Sequence, residues 1–204
     1  SPIEPLYTIE DAEQVASHFR PMEYEQTFET TPGVTARFVE AGHILGSAAI
    51  SLEIEENGRK VRLWFSGDIG RRKLPLLRDP ILPEAADYLL MESTYGDKPH
   101  RDPDVAYVEF RDVVNRTIRR GGKVIIPAFA VGRTQELVYC LNQMMSNGEL
   151  PKAPVFVDSP LAVNASDIFR KHPEVFDEET DVFVAHAIGP ALGYADLTYT
   201  RSVE

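Results

Sequence analysis

His43 and Asp68 are the residues of this sequence best suited to bind a metal. An imidazole and a carboxylate are ligand types that a first-row metal ion takes. His43 lies in Ala41-Gly42-His43-Ile44-Leu45-Gly46-Ser47, and Asp68 in Phe65-Ser66-Gly67-Asp68-Ile69-Gly70. The flanking glycines let backbone approach closely. Each residue also has a plainer reading, a hydrogen-bonded loop histidine and a turn aspartate. Two side chains do not hold a catalytic metal alone, so the rest of such a site must come from elsewhere. Glu92 opens the run Glu92-Ser93-Thr94-Tyr95-Gly96 after an apolar stretch. The C-terminal end of a strand is a usual site position in α/β proteins, although this carboxylate can equally cap the following turn.

The segment between His43 and Asp68 must bring them together. Residues 47–55 and 59–66 read as strands around Asn57-Gly58, a strong signal for a two-residue hairpin. A tight turn there sets Ser47 opposite Asp68, with His43 in the loop at the same end. Residues 34–41 alternate apolar and polar as a strand does, and 79–83 are a proline-broken loop. Residues 88–91 read as a short buried strand ending at Glu92. Residues 8–19 predict an amphipathic helix with Thr8 as N-cap and Asp11 as its capping partner.

From about residue 96 the pattern changes, and a domain boundary is placed there. A helix over 104–120 stops at Gly121-Gly122, followed by a β-branched strand at 123–127. A helix over 134–145 carries Leu137, Val138, Leu141, Met144 and Met145 on one stripe. A strand at 155–157 leads to a helix at 160–169, with Ser159 as N-cap and Pro160 in its first turn. Residues 181–185 read as a strand. Alternating helices and strands imply a parallel α/β layer. Two loops, 127–134 and 158–160, enter helices from strand ends and aim backbone N–H groups at one sheet edge. That suits phosphate, which Arg133 could clamp, with Thr134 and Ser159 beside it. Ordinary α/β loop architecture explains the same pattern. His18, His100, His172 and His186 show no ligand spacing and read as surface residues.

The chain has 204 residues, 43% hydrophobic and 26% charged, as ordinary globular proteins do. A net charge of −11 argues against a broad basic surface for nucleic acid. A metal cluster can still supply local positive charge where phosphate sits. Arg71-Arg72-Lys73 and Arg119-Arg120 with Lys123 read as solvated faces. No apolar run reaches the ~18 residues of a membrane span. Cys140 is the single cysteine, so no internal disulfide forms; a buried structural thiol in a reducing, cytoplasmic setting is expected.

Five motifs in order carry a resemblance: A-G-H-I-L-G-S-A, F-S-G-D-I-G, M-E-S-T-Y-G-D, G-G-K-V-I-I-P-A-F-A-V-G-R-T-Q-E and D-S-P-L-A. Together they resemble the β-CASP branch of the metallo-β-lactamase superfamily, which includes RNA-processing nucleases. The resemblance implies an α/β fold: a partial metallo-β-lactamase (αββα) segment over 1–95, then a C-terminally incomplete β-CASP domain over 96–204 with a mainly parallel Rossmann-like sheet. It further implies two zinc ions, His43 as ligand to one and Asp68 bridging both. A bridging hydroxide would attack phosphorus in line. Glu92 would orient a histidine that protonates the leaving group. Arg133 and Ser159 match recurrent positions where RNA backbone contact is expected. The superfamily's H-x-H-x-D-H motif does not occur in these residues, and neither do the later β-CASP histidine motifs. The chain therefore reads as an internal, inactive piece of a zinc-dependent RNA hydrolase, with homodimerisation open to it. The alternatives are a DNA nuclease of the same superfamily and an inactive β-CASP scaffold. The glutamate at 92 favours RNA over DNA, and retention of His43 and Asp68 weighs against a scaffold. A nucleotide-binding Rossmann module is disfavoured because no G-x-G-x-x-G or P-loop follows a strand.

Overall fold

Asn57 and Gly58 adopt φ values of 51° and 74°, the doubly left-handed pair of a type I′ turn. They join β3 (Ala48–Glu56) to β4 (Arg59–Phe65). Pairing runs from Glu56 opposite Arg59 to Ile50 opposite Phe65, the register that the turn dictates. β2 (Val34–Glu40) lies antiparallel to β3, and β1 (Thr27–Thr31) antiparallel to β2. β5 (Tyr88–Leu90) joins the other edge, parallel to β4, to complete a five-stranded sheet in chain order. Val39, Ala49 and Trp64 form its buried cluster. The computed structural model describes residues 5–186 and 191–201. Ser1 and residues 202–204, which entered the expectation of an internal piece, lie outside them.

Ahead of the sheet, α1 (Ile9–Val15) starts at Thr8 with the expected reciprocal cap. Thr8 Oγ1 accepts from Asp11 N at 3.3 Å, and Asp11 Oδ2 accepts from Thr8 N at 2.8 Å. After the sheet come α2 (Pro103–Arg119), α3 (Arg133–Ser146), β6 (Val155–Asp158), α4 (Pro160–Phe169), α5 (Glu178–His186) and β7 (Leu197–Thr200). β6 and β7 pair in parallel. The largest core cluster unites Val138, Tyr139, Phe169 and Leu192 with Leu76 and Leu77. The last two precede residue 96, so this core draws on both sides of the expected boundary. No helix among the described residues is long and apolar enough to cross a membrane.

The five-stranded sheet, all of it before residue 96, is mostly antiparallel, and the described strands after residue 96 are one parallel pair of the mainly parallel Rossmann-like sheet expected there. Three expectations need correction. Residues 123–127 are β-branched but pair with no strand among the described residues, and Ile125 is 90% exposed. A strand needs a neighbour to take its backbone groups, which local composition does not supply. Residues 181–185 belong to α5, because Asp177 caps it by accepting from Thr180 N at 2.7 Å. Glu178, Glu179 and Asp181 then lie in the first turn, where they suit the helix dipole. Finally, β5 is an exposed edge strand where a buried one was expected.

Candidate functional site

The loop carrying His43 is closed by Ser47. Its hydroxyl accepts from His43 N at 3.1 Å and Ile44 N at 3.3 Å, while Ser47 N donates to the Ile44 carbonyl at 3.0 Å. Gly42 N donates to the buried Glu40 carboxylate at 2.8 Å. Burial pushes the Glu40 carboxyl up, and the Gly42 amide pulls the other way. The Asp68 loop is lashed to this one by Gly70, whose N–H donates to the Ala41 carbonyl at 2.8 Å. A Cβ on Gly70 would stand 1.6 Å from the Gly42 oxygen, so no other residue fits.

Glu92 ties down the far side of the Asp68 loop. One carboxylate oxygen accepts from Ile69 N at 2.7 Å, the other from the Thr94 hydroxyl at 2.5 Å. Its own amide donates to Ser66 Oγ at 3.0 Å, and Ser66 N donates to the Leu90 carbonyl at 2.9 Å. The Thr94 hydroxyl first, and the Ile69 amide next, hold the Glu92 carboxyl below the usual carboxylate range; His43 adds to the same effect. The hairpin register, Gly70 and Glu92 thus gather the His43, Asp68 and Glu92 segments at one end of the sheet. His43 and Asp68 are both exposed there.

The start of α3 adjoins this end. A Cβ on Gly132, whose φ is 80°, would stand 2.8 Å from Ile44 Cγ2. Arg133 Nη1 lies 2.6 Å from Glu136 Oε2. Glu136 is buried, which pushes its carboxyl up against the opposing influence of Arg133, Arg71 and His43. The amides of Arg133, Thr134 and Glu136 donate to the carbonyls of Val131, Phe129 and Gly132, so the chain's own oxygens largely fill the expected anion cradle. The Thr134 hydroxyl donates to the Phe129 carbonyl at 2.8 Å. Ser159 caps α4, its hydroxyl accepting from Ala162 N at 3.2 Å. Gln135, which sequence reasoning passed over, is fully buried and donates to the Ala130 and Ala162 carbonyls and Ser166 Oγ, joining α3 to α4. Glu136 was passed over too. Two adjacent polar residues one turn ahead of the apolar Val138 and Tyr139 were the available signal. The other four histidines are exposed, as expected.

Zinc is the metal that the resemblance implies. Among the described residues, no group of three or more His, Cys, Asp or Glu side chains is arranged to hold a metal ion. A zinc site needs at least three protein ligands, so these residues do not make one by themselves.

Residues 134–204 match the Beta-Casp domain model. Relatives align across nearly the whole chain. Ribonuclease TTHA0252 of Thermus thermophilus is 38% identical over 92% of this chain and 42% of its own length. The RNase J-like protein of Methanocaldococcus jannaschii is 32% identical over 90% of this chain and 43% of its own length. Residues 134–204 are therefore a β-CASP segment, and the chain as a whole is similar to these proteins. Cleavage and polyadenylation specificity factor subunit 3-I of Arabidopsis thaliana is a third relative, 31% identical over 82% of this chain and 24% of its own length. The chain thus spans less than half the length of the curated relatives it matches. The β-CASP match begins at Thr134, one residue into α3.

Proposed function

We propose that this chain is part of a zinc-dependent hydrolase that cleaves RNA phosphodiester bonds by a two-metal mechanism. The observation that carries the reading is the lashing of the His43 and Asp68 loops at one sheet end, beside the helix where the β-CASP match begins. His43 and Asp68 are its share of the metal ligands, and the remaining ligands come from outside the described residues. Relatives named ribonuclease and RNase J-like protein support RNA as substrate. Glu92 acts by positioning, since its two oxygens hold the backbone next to Asp68 and the Thr94 hydroxyl. The Arg133 side chain, about half exposed at the start of α3, serves the RNA backbone, with Thr134 and Ser159 in supporting places. The lone, largely buried cysteine fits the reducing cytoplasm.

The test is Asp68→Ala in a chain extended to the length of the relatives, assayed on end-labelled single-stranded RNA. Loss of zinc-dependent cleavage with unchanged circular dichroism is expected. Turnover at the parent rate would overturn the assignment.

A further inference from the structure

We propose that the groove beside Glu92 is a base-stacking subsite for single-stranded RNA, with Tyr95 as its platform; this rests on the RNA reading above. The groove, about 550 Å³, runs from Ile69 and Gly70 past the Glu92–Gly96 turn to Pro103. Tyr95 is 56% exposed within it. The His100 ring lies 4.7 Å from the Tyr95 ring, centroid to centroid, at an interplanar angle of 53°. Lys98 Nζ stands 5.9 Å from the Tyr95 centroid. The turn that carries Tyr95 is fixed by hydrogen bonds from Gly96 N to the Ser93 carbonyl at 3.0 Å and from Lys98 N to the Tyr95 carbonyl at 3.4 Å. The turn that presents the ring is therefore preformed.

The charges of the groove sort by what they already hold. Arg101 is neutralised by Glu109, at 2.6 and 3.0 Å. The Asp102 carboxylate caps α2, accepting from the amides of Asp104 and Val105. The Glu92 carboxylate is engaged as described. Arg71 donates to the Arg101 carbonyl over a long 3.4 Å contact, and Arg72 is exposed, so two arginines remain to meet phosphate. In a chain of net charge −11, this local pairing of cations with an exposed aromatic ring matches a nucleotide strand, phosphate to arginine and base to ring. A base reaches a ring face only when it is out of a duplex stack, which selects single strands. Glu92 holds Ile69, the neighbour of Asp68, so a nucleotide seated on Tyr95 brings the adjoining phosphodiester toward the candidate metal ligands.

The test uses the complete protein that contains this chain, in chelator so that binding is read apart from cleavage. Fluorescence anisotropy follows a short labelled oligouridylate and the same backbone carrying abasic sites. Tyr95→Ala should weaken oligouridylate binding about tenfold and leave abasic binding unchanged, while Tyr95→Phe binds as the parent does. The parent itself should prefer the oligouridylate. If the parent binds RNA and Tyr95→Ala binds equally well, the subsite is wrong and the RNA reading stands. Equal weakening on the abasic strand also overturns the subsite, making Tyr95 structural. Failure of the folded parent to bind either strand removes the RNA reading and the subsite together.

Discussion

Glu92 has both carboxylate oxygens engaged, by the Ile69 amide and the Thr94 hydroxyl, which sets what its replacement should do. Glu92→Gln keeps the shape and one acceptor but loses the charge that strengthens those bonds. In the full-length protein it should leave zinc content unchanged and slow cleavage by about 10- to 100-fold, as loss of a supporting hydrogen bond does around metal sites. Loss of zinc would make Glu92 a ligand instead. Cys140 gives a second expectation at this scale. Burial pushes its thiol up to about 12, so at pH 8 almost none is thiolate and a disulfide reagent should label it only after denaturation. The sign follows from linkage: a thiol raised on folding makes the native state lose stability as pH rises beyond the unfolded thiol's pKa, near ~8.5. Rapid labelling of the native protein at pH 8 would contradict this. The joining of the His43 and Asp68 loops was legible because glycines bracket both residues and a hairpin signal separates them. Gln135 and Glu136 were not, since burial of a polar side chain depends on partners such as Ser166 and Arg133 that local sequence does not identify.

At the level of elements, the junction between the two metal-candidate loops depends on Gly70. Gly70→Ala forces a methyl into the Gly42 carbonyl and should cost about 3 kcal/mol or more in urea unfolding, above the usual range for overpacking. Gly148→Ala is the control: its φ of 74° is strained for alanine, but no atom lies within 4 Å, so about 1 kcal/mol is expected. Equal losses would mean that the loops are not locked as described. Elements with local signals were readable: the Asn57-Gly58 hairpin, the Thr8 capping box, and α4 behind Ser159 and Pro160. Elements defined by distant pairing were not. β1 is a polar strand made by its ladder to β2, and β7 is four residues long and aligned by β6 from across the chain. α5 was misread because Val182, Phe183 and Val184 favour strands, whereas the Asp177 cap and the acidic first turn favour a helix, and the helix wins.

Across the whole molecule, the core joining Leu76 and Leu77 to α3 and α4 fixes the sheet end against the β-CASP segment. The His43 loop, the Asp68 loop and the start of α3 therefore form one unit, although the overall charge of −11 opposes nucleic acid elsewhere on the surface. The central claim is that this unit is one share of a two-zinc site. Elemental mass spectrometry on the purified protein, extended to the length of its relatives, tests it most directly, with the 204-residue chain measured beside it. The account predicts about two zinc ions per extended chain and almost none in the shorter one. An extended chain without zinc, or stoichiometric zinc in the 204-residue chain, would contradict it.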